Sequence, residues 1–79
     1  MKISLQYFAQ LRALGGPDVI ELPEGSTVGT LLQKVFEWQP KLKAWDRQIR
    51  VAAGTDWVSR DHVIAPGEII SLMPPVQGG

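Results

Sequence analysis

Cysteine is absent from this 79-residue sequence. That excludes disulfides, thiolate metal ligands and any internal cysteine nucleophile or persulfide carrier. Histidine occurs once, at His62, with no second histidine or cysteine at zinc-ligand spacing. Eight basic residues balance eight acidic ones. With no basic run or stripe, the chain offers nothing to grip a nucleic-acid backbone. No segment approaches the roughly 20 consecutive apolar residues that span a bilayer, and Met1-Lys2-Ile3-Ser4-Leu5 opens on strand-like alternation, with no secretory apolar core. A soluble cytoplasmic protein is the expectation. Phosphate loops are missing too, since neither Gly15-Gly16 nor the Gly25 region has the ordering of a nucleotide-binding fingerprint.

What remains is an ordinary globular composition, 44% apolar, in a chain long enough for one small domain. Ile3, Leu5 and Tyr7 alternate with Lys2, Ser4 and Gln6, predicting a first strand with one buried face. Phe8 breaks the alternation and is expected to cover the sheet end. Ala9 to Leu14 reads as a short helix stopped by Gly15-Gly16-Pro17. Val19 to Leu22 is a second strand, with Ile20 and Leu22 inward. The clearest element is a helix from about Thr27 to Trp38, capped by Ser26 or Thr27, with Val28, Leu31, Leu32, Val35 and Phe36 on one stripe. Gly29 and Thr30 weaken its first turn, so packing must hold it.

Pro40 is expected to end that helix or fix its exit, with Leu42 and Trp45 covering the core edge. Ile49, Val51 and Ala53 form another alternating set. Gly54-Thr55-Asp56 is a turn, and Trp57-Val58 begins a short strand. Ser59 to His62 is loop, Val63-Ile64 a brief return, and Ala65-Pro66-Gly67-Glu68 a turn. The continuous apolar run Ile69 to Met73 predicts a central strand. One main helix across a sheet is an α+β arrangement, best fitted by a β-grasp with a mixed sheet and a short additional helix; a small barrel is the alternative. Residues 1–73 are read as the domain and 74–79 as an extended tail.

That tail, Pro74-Pro75-Val76-Gln77-Gly78-Gly79, is the most informative segment. Two prolines restrict φ and remove donors, which gives a stiff stalk. Two glycines without side chains give a narrow, conformationally free tip. Such a tip can pass a tight channel and present the α-carboxylate of Gly79 to chemistry on another protein.

The sequence resembles the small, sulfur-carrying subunits of molybdopterin synthase, within the ThiS/MoaD-like ubiquitin-fold family. Phe8-Ala9-Gln10-Leu11-Arg12, Val58-Ser59-Arg60-Asp61-His62, Pro66-Gly67-Glu68 and above all Pro74-Pro75-Val76-Gln77-Gly78-Gly79 carry the resemblance, which spans essentially the whole chain. Ala53-Gly54-Thr55 departs from it, in a turn where relatives often carry asparagine. The resemblance implies a ubiquitin-like fold and a non-catalytic carrier role inside an enzyme complex. An E1-like adenylyltransferase would use ATP to form a glycyl adenylate at Gly79. A sulfur donor would convert it to a thiocarboxylate, and the loaded tail would enter the large subunit of the synthase. There sulfur would pass to cyclic pyranopterin monophosphate, building the dithiolene of molybdopterin. Related assemblies are heterotetramers, with catalytic side chains on the large subunit and no cofactor bound by the carrier itself. A carrier for thiamine or tungsten-cofactor synthesis, or a ubiquitin-like protein modifier, is the alternative.

Other residues read more plainly. Asp56, Asp61 and Glu68 stand beside turn signals and Ser59 has no triad, so neither is a catalytic candidate. Arg12, Arg47, Arg50 and Arg60 are surface cations, one or two of them available to acidic residues on a partner. Phe8, Trp45, Trp57, Arg60 and Met73 are the candidates for partner docking, because aromatics, methionine and arginine suit protein interfaces.

Overall fold

Strand alternation dictates which face of the sheet is covered. In the computed structural model, which describes residues 1–75, β1 (Lys2–Tyr7) buries Ile3 and Leu5 and exposes Lys2, Ser4 and Gln6. After it come α1 (Gln10–Leu14), β2 (Val19–Glu21), α2 (Val28–Trp38), α3 (Pro40–Lys43), a 3-10 turn at Asp46–Gln48, β3 (Arg50–Ala53), β4 (Asp56–Val58) and β5 (Ile69–Met73). The strands form one five-stranded sheet in the order β2-β1-β5-β3-β4. β1 and β5 run parallel, and the other neighbours are antiparallel. This is the mixed β-grasp sheet that the sequence predicts, with β5 at its centre.

α2 supplies the helical half of the core. Val28, Leu31, Leu32 and Val35 are buried on it and cluster with Ile3, Leu5, Val51, Ile70 and Leu72 from the sheet. Leu11 of α1 and Leu42 of α3 close the core at its edges. The first turn of α2 is weak in propensity but well supplied with partners. Thr27 Oγ1 accepts from the Thr30 amide at 3.3 Å. The Val28 amide donates to the His62 carbonyl at 3.0 Å and the Gly29 amide to the Arg60 carbonyl at 2.9 Å. Loop 59–62 therefore takes up amides that a helix N-terminus leaves orphaned. Gly29 belongs where this backbone approaches, since an added Cβ would stand only 3.4 Å from the Arg60 carbonyl oxygen.

Four local expectations are revised. Pro40 does not merely end the main helix; it opens α3 at an N-terminal position where its missing N–H is no loss. Gln39 is the hinge, ending α2 and accepting from the Lys41 amide through its side chain. Val63-Ile64 is not a strand but a single bridge from Val63 to Thr27, which seats Ile64 in the core. Ala52, outside the alternating set Ile49, Val51 and Ala53, is as buried as its neighbours. Phe8 stays 42% exposed at the sheet end, its backbone extending the ladder by donating to the Leu72 carbonyl.

The turn before β5 is tied by Glu68. Its Oε1 accepts from the Ala65 amide at 2.7 Å and meets His62 Nε2 at 3.1 Å. The Ala65 hydrogen bond, then the His62 contact, hold this carboxyl below the usual glutamate range. A carboxyl depressed in the folded state contributes stability above its unfolded pKa and loses it as pH falls through the folded value. The melting temperatures of the native protein and Glu68→Gln should therefore differ at neutral pH, begin to approach each other as pH falls below the ordinary glutamate value of about 4.3, and coincide only below the lowered folded value. A difference that persists unchanged into acid would contradict this.

Candidate functional site

The face of the sheet away from α2 has no covering layer among the described residues. Register builds it row by row. Ala52 pairs with Trp57 on one side and Ser71 on the other, and Ser71 pairs with Gln6. The row Trp57–Ala52–Ser71–Gln6 thus crosses four strands. One row toward the end of β5, Met73 pairs with Arg50, and Phe8 adjoins it through the extended ladder. One row the other way stands Ile69 opposite Ser4, with Val19 beyond.

Trp57 is 59% exposed, Val19 52% and Ile69 44%. Between the large side chains lie Ala52 and Ser71, small and nearly inaccessible. The result is a shallow trough, apolar at Trp57, Ala52, Ile69 and Met73 and polar at Ser4, Gln6 and Ser71, on the face where β5 gives way to Pro74 and Pro75.

Fold geometry therefore unites three of the docking candidates, Phe8, Trp57 and Met73, and parts them from the other two. Trp45 is half-buried against the hydrophobic core beside the 3-10 turn. Arg60 sits on the α2 side, its Nη1 donating to Asp46 Oδ1 at 2.8 Å and its Nη2 to the Asp46 carbonyl. Arg60 and Asp46 wall a groove of about 520 Å³ with Gly29, Leu32 and Phe36. Its main cation is already matched by Asp46. Pro74 and Pro75 are half-buried at the exit of β5. Val76, Gln77, Gly78 and Gly79, the tip named from sequence, lie outside the described residues.

Arg50 is the residue whose place sequence reasoning did not single out. It stands diagonal to Trp57 across β3 and β4, with its guanidinium carbon 5.2 Å from the indole centroid, a cation–π arrangement. Alternation puts Arg50 and Met73 on one face once the strands are in register; nothing local in the sequence does so.

The titratable groups nearby are structural. The Tyr7 hydroxyl donates to the Pro17 carbonyl at 2.7 Å, and burial, reinforced by Asp18, pushes its pKa up to about 12. Gly16 passes under this ring, where a Cβ would fall 2.7 Å from the hydroxyl oxygen. Among the described residues no cluster of three histidine, cysteine or acidic side chains could hold a metal, and no helix is long and apolar enough to cross a membrane.

Comparison with known proteins identifies the family. The ThiS family matches over residues 5–79. The chain belongs to the ThiS family. The molybdopterin synthase sulfur carrier subunit of Escherichia coli is 32% identical to this ThiS-family chain, covering 98% of it and 99% of the relative. A solved structure described as subunit 1 of a molybdopterin converting factor, from Pyrococcus furiosus, superposes with a TM-score of 0.83 at 32% identity, covering 95% of this chain and 98% of that one. SAMP1 from Haloferax volcanii superposes at 0.82 and 23% identity over the full length of both chains. A chain of the protein–protein complex of subunits 1 and 2 of the molybdopterin-converting factor from Helicobacter pylori does so at 0.69 and 20%, again over both full lengths. These last two share the fold.

Proposed function

We propose that this chain is the sulfur carrier subunit of a molybdopterin synthase. The reading rests chiefly on the Escherichia coli sulfur carrier subunit, 32% identical along nearly all of both chains. In this reading the Gly79 carboxylate attacks the α-phosphorus of ATP on an E1-like adenylyltransferase, releasing pyrophosphate. A donor that delivers hydrosulfide then supplies the nucleophile: HS⁻ attacks the acyl carbon, AMP leaves and the S–H proton is lost, so that a thiocarboxylate stands where a carboxylate was. On the large subunit that sulfur is the nucleophile toward cyclic pyranopterin monophosphate, and water returns the carbonyl carbon to a carboxylate.

Every step explains something about this chain. A carboxylate is a poor electrophile, so activation must come from a partner that holds ATP. The chain has no cysteine, so the sulfur must be stored on the terminus. The trough lies on the face where the tail begins, so a partner covering one receives the other. The complex of subunits 1 and 2 from Helicobacter pylori supplies the precedent for such a partner.

Intact-mass measurement after incubation with activating enzyme, ATP and sulfur donor tests the first half. One sulfur should replace one oxygen at the C-terminus. Conversion of the pterin precursor by the loaded chain plus the large subunit tests the second half. A thiazole product would place the carrier in thiamine synthesis. Isopeptide bonds to lysine would make it a protein modifier, a reading that the fold shared with SAMP1 keeps in view.

Gly78→Ala separates tip from scaffold. A methyl at Gly78 narrows the conformations open to the tip, so transfer should fall while the melting temperature shifts by no more than about 4 °C, the equivalent of roughly 0.5 kcal/mol. Normal activity with a marked thermal loss would reverse the assignment of roles.

A further inference from the structure

We infer that Arg50, laid over Trp57 beside the root of the tail, recognises a carboxylate on the protein that receives that tail. The inference rests on the carrier reading above and specifies the chemistry of the partner's surface.

Arg50 forms no salt bridge among the described residues, whereas Arg60, the cation across the same sheet edge, is paired with Asp46. The recess between β3 and β4 is lined by Arg50, Trp57, Val58, Ser59 and Arg60 and contains no acidic side chain. Since Asp46 matches Arg60, Arg50 leaves this edge of the trough net positive.

The other end of the outer face is different. There Lys2 stands in register with Glu21 across β1 and β2, one charge of each sign. The cation without an acidic cross-strand partner stands at the tail end, in the row that Arg50 shares with Met73.

The indole constrains what Arg50 can accept. A guanidinium lying over a ring has one face occupied, and its N–H donors radiate in the plane. That geometry suits the two oxygens of a carboxylate, which accept two parallel hydrogen bonds. A partner that takes in the tail must close over Met73 and Trp57, and in closing it removes water from Arg50. An arginine buried without an acceptor is strongly unfavourable. A partner fitted to this face thus brings an aspartate or glutamate to the Arg50 position, with apolar side chains for the trough beside it. The same charge should accelerate encounter with an acidic surface and make binding sensitive to salt.

Titration calorimetry of the full chain against its cognate large synthase subunit, at low and at raised salt, tests this. Arg50→Leu should weaken binding by roughly 30-fold or more, as expected when one member of a buried charge pair is removed. Arg50→Lys, which keeps charge but loses the planar fork, should recover only part of that. Lys34→Ala, on the exposed side of α2, should bind as the native chain does, and added salt should weaken the native chain more than Arg50→Leu. Melting temperatures of all variants exclude misfolding as the cause. Arg50→Leu binding within about twofold of the native chain, or more tightly, would show that the edge is read as apolar surface and would overturn the inference while leaving the carrier reading intact. A native chain that binds no large subunit would overturn both.

Discussion

A chain carrying one extra residue after Gly79 should acquire no sulfur when offered activating enzyme, ATP and donor. The reactive atom in the carrier reading is the terminal acyl carbon, and an added residue moves the free carboxylate onward by up to about 3.6 Å. Catalysis by positioning tolerates little displacement, since about 1 Å of misplacement can cost roughly 100-fold in rate. The Gly79 carbonyl would also be an amide, with no carboxylate oxygen to attack the α-phosphorus. Both effects act on the first step, so neither adenylate nor thiocarboxylate should accumulate in the intact-mass spectrum. Binding to the large subunit through the trough would survive in part, because Phe8, Trp57 and Met73 are untouched. That split, docking retained and loading abolished, distinguishes a blocked terminus from a damaged fold. Sulfur loading and pterin conversion at the native rate, with the extension still attached, would remove the terminus from the mechanism.

Where sequence and structure agree, the signal was local. α2 declares itself through five apolar residues on one stripe and a capping threonine. β1 does so through strict alternation, and β5 through an apolar run too continuous for an edge strand. Each pattern is written in consecutive residues, so no tertiary information is needed to read it. Pro40 shows the limit. A proline after a helix signals a break, yet the same ring suits the first position of the next helix, and only the burial of Leu42 decides that another turn forms.

The outer face was harder because it depends on register. Phe8, Arg50, Trp57 and Met73 come from four separate stretches, aligned only by the parallel pairing of β1 with β5 and the antiparallel pairing of β3 with β4 and β5. Composition could nominate Phe8, Trp57 and Met73 as interface residues, and it nominated Trp45 on the same grounds. The fold instead uses much of Trp45 as packing against the core. The sequence nominated Arg60 for docking and left Arg50 among the surface cations. One is matched to Asp46 beside α2, and the other is left on the sheet edge with an indole beneath it. The fate of a cation is set by its neighbours in space.

The second large effect belongs to the scaffold that holds this face in place. Leu32→Ala should destabilise the fold by about 2–5 kcal/mol, a large share of the roughly 5–15 kcal/mol available to a domain. α2 has 11 residues and a glycine in its first turn, too short and too weak to persist alone. Its stability is that of its buried stripe, where Leu32 is 1% exposed and Leu31 fully enclosed. The two leucines should not respond equally. Leu32 also lines the groove formed with Phe36 and Arg60, so truncation there opens a space that Phe36 or water can partly fill. Leu31 has no such outlet, and Leu31→Ala should lie nearer the upper end of the range. Urea unfolding checks both, with the midpoint falling further for Leu31→Ala and the slope unchanged in a two-state transition. A loss below about 1 kcal/mol at Leu31 would mean that the helix is anchored chiefly by the loop carbonyls at its N-terminus. A greater loss at Leu32 than at Leu31 would mean that the groove wall is rigid and stays empty.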